Sequence, residues 1–197
     1  YVVQDYRRGG GPDLLRDVVE IAENSGTFTE VAGDLLHVRR HLACAVLERL
    51  GNNPISADDF ARLTHAVDAF EAATEGDLED LIQRDLDVLS ALLDATGSAV
   101  LRLCLNPISS MLMALPRLAS AMYATPAENV LAWRGLCGAL SGTVPLDSSR
   151  WLQILEARDA ETVFAWASAA ARRRRAVQWI AERLVVMGSA AKANHPR

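Results

Sequence analysis

An all-α antiparallel bundle of about seven helices, preceded by a short N-terminal extended stub, is the fold this sequence predicts. Three observations carry the prediction. Apolar residues recur at three- and four-residue steps along almost the whole chain. Strand character is confined to Tyr1-Val2-Val3-Gln4, where β-branched and aromatic residues gather. The periodic stretches end at Gly, Pro and Asn, and the next ones begin on Ser, Thr, Asp or Pro.

In chain order, residues 1–11 are the stub and a linker, because Arg7-Arg8-Gly9-Gly10-Gly11-Pro12 cannot hold regular structure cheaply. A helical domain is expected over 12–188 and a flexible tail over 189–197, where residues are small and polar. The first helix covers about 12–24, with Pro12 and Asp13 suited to its first turn. A long helix runs from about Thr29 to Leu50 and carries Leu35, Val38, Leu42, Ala45 and Val46 at helical spacing; Gly51-Asn52-Asn53-Pro54 stops it. Ser56 and Asp59 form a capping-box pattern that opens a helix to about Glu75. Gly76-Asp77 separates this from a helix ending near Thr96-Gly97. Ser98 then opens an apolar stretch to Tyr123, which Pro107 and Pro116 must kink or split. Thr125-Pro126 starts a helix to about Leu140, and residues 141–145 form a loop. Asp147 or Ser148 caps a last helical region over Trp151–Met187, with a break expected near Arg158-Asp159.

Composition narrows the classes of function. With 197 residues, half of them hydrophobic and 23% charged, the chain has the make-up of a globular domain. A net charge of −5 argues against a phosphate backbone as a direct partner, since that needs a concentrated basic face. No apolar run reaches the roughly 18 residues that span a bilayer, so no membrane partner is expected. The chain starts without Met and without a signal-type apolar segment, and is expected to be cytoplasmic and a piece of a longer protein. Cys44, Cys104 and Cys137 each fall in an apolar pattern and are expected to be buried thiols.

No arrangement of residues supports catalysis. There is no Ser-His-Asp or Cys-His set and no glycine-rich phosphate loop after a strand, so the chain is not expected to be an enzyme. His37 and His41 lie four apart, with Asp34 one turn earlier, so both rings can face one ion; a third ligand is not placed by the sequence. An exposed pair is the plainer reading. Arg172 to Arg175 form a basic run, but four consecutive residues spread around a helix and make no stripe. Polar residues set into apolar helices are more informative: Arg39, Asp85, Arg102, Asn106 and Arg134. A charge on an apolar face needs a partner, water or a ligand. Converging inside a bundle, these five would line a pocket for a small anionic molecule.

Four segments, Tyr1 to Gly9, Leu35 to Arg40, residues 77–97 and residues 152–160, stand in an order that resembles the GntR family of transcription regulators. Tyr1 to Tyr6 followed by Arg-Arg-Gly is similar to the end of its winged helix-turn-helix, where a wing strand leads to a linker. Leu35-Leu36-His37-Val38-Arg39-Arg40 resembles the family's L-x-x-V/L-R segment in the long helix of the effector domain. Residues 77–97 resemble D-x-x-F-H-x-x-L-x-x-A-x-G-N, with Asp85 in the Asp position and Leu92, Ala95 and Gly97 matching. Residues 152–160 resemble I-L-E-A-I-x-x-x-D-A, with a few residues missing.

In the metal-binding FCD branch of that family, one Asp and three His hold a divalent ion. Here Leu89 stands four after Asp85 where the first His would be, Ser98 replaces the Asn, and no His lies between His65 and His195. The resemblance therefore implies no bound metal and no cofactor. The acyl-CoA-responsive FadR subgroup also lacks those ligands; Leu103-Cys104-Leu105-Asn106 and Tyr123-Ala124-Thr125-Pro126 are similar to its segments. The resemblance implies an effector-binding and dimerising domain of a FadR-like regulator that senses a small anionic metabolite, either a fatty acyl-CoA or an organic acid. Operator DNA would be bound by the winged helix domain of the full-length protein, not by this chain. Arg39 would pair with the anion, Asp85 would orient that Arg or accept a ligand hydrogen bond, and Arg102, Asn106 and Arg134 would form the pocket wall. The alternatives are a ligand-free helical dimerisation module and a metal-dependent sensor of the FCD type.

Overall fold

The computed structural model describes residues 14–113 and 115–193, so the N-terminal stub and the last residues of the tail lie outside the described residues. Among these the chain forms eight α-helices and a short 3-10 turn, with no strand. They are α1 Leu15–Ser25, α2 Phe28–Asn52, α3 Ala57–Ala72, α4 Leu78–Thr96, α5 Ala99–Met113, α6 Pro116–Met122, α7 Pro126–Leu140 and α8 Ser148–Ala193; the turn, Ala73–Glu75, follows α3.

Local chemistry sets most boundaries. The Ser56 Oγ accepts from the Asp59 N–H at 3.1 Å and donates to the Asp59 carboxylate, closing the box that opens α3. The Asp77 side chain accepts from the Asp80 N–H at 2.8 Å and caps α4. Gly97 ends α4 at φ 61°, a left-handed conformation that costs a residue with a Cβ more than it costs glycine. Pro116 and Pro126 each stand in the first turn of a helix, where a missing N–H is harmless. Asp147 accepts from the N–H groups of Ser149 and Arg150 at the start of α8.

Packing fixes the rest. The main core joins Leu63, Val67 and Phe70 of α3, all fully buried, to Val46 and Leu47 of α2 and Val88 of α4. A second core gathers Val19 of α1, Phe28 and Leu35 of α2, and Leu118 of α6; Trp166 of α8 stacks on Phe28 with ring centroids 4.2 Å apart. The Arg49 side chain of α2 donates to the Thr96 carbonyl at 2.7 Å, satisfying a free carbonyl at the end of α4. Helix α8 packs along α2 and α6 and so closes one side of the bundle.

Three expectations are corrected. No break occurs at Arg158-Asp159: α8 is continuous because the inward Asp159 carboxylate finds partners on α2, leaving the helix nothing to resolve. That same helix extends to Ala193, through an Ala-rich segment of high helix propensity. Cys44 and Cys137 are buried as expected, but Cys104 is exposed, sharing an outward face of α5 with Val100 and Leu103. Pro107 lies inside α5 without ending it. The carbonyl deprived of its partner belongs to Leu103 on that outward face, where water can replace the lost bond. A new helix, α6, begins at Pro116, where the second proline was expected to divide the stretch.

Candidate functional site

A cavity of about 170 Å³ lies within the bundle, bounded by α2, α4, α7 and α8 with contributions from α5 and α6. Much of its wall is aliphatic: Val46 and Leu47 of α2, Leu89 and Leu92 of α4, Leu105 of α5 and Leu136 of α7. Set into this wall are Arg39 and Arg40 from α2, Asp85 from α4, Tyr123 after α6, and Arg158 and Asp159 from α8.

The polar residues fall into two groups. In the first, Asp85 accepts from the Tyr123 hydroxyl and from the Trp133 indole N–H, both at 2.6 Å. Each donor engages a different carboxylate oxygen. Asp85 keeps surface only in part, and it borders the cavity. Burial pushes its carboxyl above the usual carboxylate range, against the pull of Tyr123, Trp133, Arg39 and Arg158. Burial and the neighbouring Asp85 push the Tyr123 hydroxyl up as well, so it stays a hydrogen-bond donor at any ordinary pH.

The second group is a clasp between α2 and α8. Asp159, 5% exposed, accepts from Arg39 on one oxygen and from Arg40 on the other, each at 3.0 Å. Consecutive residues point about 100° apart on a helix, so one carboxylate reaches both only by lying over the ridge between them. Burial raises the Asp159 carboxyl, and the two guanidiniums oppose that rise. Arg40 is further held by Glu156 at 3.6 Å and by His37 Nδ1 at 3.1 Å, which accepts its N–H. Arg158 donates to Glu128 at 2.9 Å and to Asn129 at the cavity's edge.

Of the five residues singled out from sequence, two meet at this cavity and three do not. Arg39 and Asp85 line it. Asp159, not Asp85, holds Arg39 by hydrogen bond. Arg102 lies outside, bonded to Ser90 and Asp94 of α4. Arg134 reaches across the surface to Asp68 at 2.7 Å and to Glu71 of α3. Asn106 is exposed on α5. The sequence reading missed Tyr123, Trp133, Arg158 and Asp159. A signal was present for two of them: Arg158-Asp159 is a charged pair inside an apolar helical pattern, as Arg39 is.

The residues do not fit a metal centre of the Asp-and-three-His type. Both Asp85 oxygens already take donors, the wall four residues on is the aliphatic Leu89, and among the described residues no imidazole borders the cavity. His37 and His41 are exposed, with ring centroids 4.5 Å apart, and one His37 nitrogen faces Arg40. Among the described residues no three His, Cys, Asp or Glu side chains gather closely enough to hold an ion.

The fold and the cavity define a class of protein: a helical bundle built around a small chamber, aliphatic on one side and carrying arginines on the other. Comparison with protein families is specific on this point. Residues 34–141, more than half of the chain, match the FCD domain, and the chain belongs to that family, the C-terminal effector-binding domains of GntR-family transcription regulators. The match ends at the close of α7, so the α8 wall of the cavity comes from beyond it. No curated protein and no solved structure matches the chain. No helix among the described residues is long and apolar enough to cross a membrane.

Proposed function

We propose that this chain is the effector-sensing and dimerising domain of a cytoplasmic, FadR-like regulator, and that its effector is a compact carboxylate. One observation carries the reading: Arg39 and Arg158 border a chamber whose wall, apart from Arg40, Tyr123 and the already partnered Asp85 and Asp159, is mostly apolar. A guanidinium at such a site favours a carboxylate, because charge-assisted hydrogen bonds are about twice as strong as neutral ones. The aliphatic wall favours an apolar body.

Size refines the choice between the two anions that the family resemblance implies. An apolar cavity of about 150 Å³ takes a molecule the size of benzene. The 170 Å³ chamber suits an acid such as benzoate or hexanoate, whereas an acyl-CoA would leave most of itself outside. Binding would favour one arrangement of the bundle and so one orientation of the DNA-binding domains of a full-length dimer, a population shift with no chemical step.

The test is calorimetry and thermal unfolding of this chain with hexanoate, benzoate, succinate and a long-chain acyl-CoA. A ligand at 100 times its Kd stabilises the folded state by about 2.7 kcal/mol. The proposal expects the two compact monocarboxylates to give the largest shifts. A response to none of these anions would favour a ligand-free dimerisation module, and a larger response to the acyl-CoA would overturn the size argument. Light scattering tests the dimer, for which a mass near the 21.4 kDa of one chain is the contrary result.

A further inference from the structure

Asp159 occupies an unusual position for a structural ion pair. Its carboxylate borders the cavity, yet it holds the very guanidinium best placed to meet an incoming anion. The two halves of its clasp are unequal. The Arg40 side chain is 10% exposed and has Asp159, Glu156 and His37 as partners. The Arg39 side chain is 27% exposed, and Asp159 is its hydrogen-bond partner among the described residues. Arg39 therefore has both the room and the looser tether needed to turn toward the chamber, while Arg40 stays with α8.

We propose that Asp159 is an internal counter-ion which the effector's carboxylate displaces from Arg39, loosening α8 from α2 as it binds. The inference rests on the effector reading above and adds a specificity-determining residue to it. With no ligand, the Asp159 carboxylate supplies the anion that a ligand's carboxylate would replace, so the half-buried Arg39 is not left with an unmatched charge. A ligand must offer at least as good an anion to win the exchange, so neutral compounds of the same shape are rejected. Once Arg39 turns away, Asp159 retains Arg40 alone: one of its two hydrogen bonds to α2 is gone, and the Arg40–Glu156 pair remains. The exchange thus carries occupancy of the chamber to the longest helix of the fold through contiguous contacts.

The test compares the wild-type chain with Asp159→Asn, titrating benzoate in a calorimeter at fixed ionic strength. The Asn amide fills the same space without the competing charge. A charge-assisted hydrogen bond is worth about 1.5–3 kcal/mol, so Asp159→Asn should bind benzoate roughly 10- to 100-fold more tightly than wild type. A residue that merely holds the fold together would, when changed, leave the affinity equal or lower it; either outcome overturns the proposal. Benzamide, neutral and of the same shape, should not bind the wild-type chain, and wild-type binding of benzamide as tight as that of benzoate would overturn the proposal. If benzoate binds wild type and Asp159→Asn equally, the effector reading stands and the counter-ion idea fails; if it binds neither, both fail. Should Asp159→Asn not fold, hydrogen exchange on the wild-type chain decides. Benzoate should speed amide exchange over residues 155–162 of α8, and protection of that segment on binding would contradict the exchange.

Discussion

Replacing Asp85 by Leu tests how the polar part of the chamber is held. Leu has a similar volume and no acceptor, so the Tyr123 hydroxyl and the Trp133 indole N–H lose their common partner at once. Leaving a buried donor unsatisfied costs about 1–3 kcal/mol, giving a loss of about 2–6 kcal/mol for the pair. That loss depends on pH. The Asp85 carboxyl titrates above its ordinary value of 3.8 in the folded chain, which therefore binds this proton more readily than the unfolded chain does. The stability Asp85 contributes is full below pH 3.8 and declines as pH rises through the folded value. The penalty of Asp85→Leu should accordingly be largest near pH 4 and smaller at pH 7. Urea denaturation followed by circular dichroism at several pH values measures it. Adding Tyr123→Phe to Asp85→Leu removes one stranded donor and should recover about 1–3 kcal/mol. A penalty that grows toward neutral pH, or a double variant no more stable than Asp85→Leu, would refute the reasoning.

Other outcomes follow from the same geometry. Arg39→Met should weaken benzoate binding by roughly 10- to 100-fold in calorimetry, since a charge-assisted bond of about 1.5–3 kcal/mol is lost while the apolar stem is kept. Arg102→Ala and Arg134→Ala should leave benzoate affinity unchanged and alter stability by no more than about 1 kcal/mol, because their ion pairs are partly exposed. Ser56→Ala should lower stability by about 0.5–2 kcal/mol in urea denaturation through loss of the α3 cap, again with no effect on ligand affinity.

Much of the fold was legible because its boundaries are local. Ser56, Asp77, Pro116, Pro126 and Asp147 each act within a few residues of themselves, so the chain announces them in sequence order. The site was legible only in part, for three physical reasons. First, a charge in an apolar pattern marks either an inward residue or a long stem running along the rim. Arg39 is the former; Arg102 and Arg134 are the latter, their guanidiniums meeting carboxylates on a neighbouring helix. Second, partners far apart in sequence leave no local trace. Asp159 lies 120 residues from Arg39, so the Arg158-Asp159 pair looked like a polar break instead of an inward clasp. Third, Tyr123 and Trp133 resemble core aromatics, and only the fold shows both turning their polar tips to one carboxylate.

The most direct test of the central claim is a crystal of the chain grown with 4-bromobenzoate, using anomalous scattering to locate the bromine. The account predicts a bromine peak inside the chamber among Leu89, Leu92 and Leu136, with the carboxylate on Arg39. A well-ordered chamber with no peak, or bromine found only at the protein surface, would contradict it.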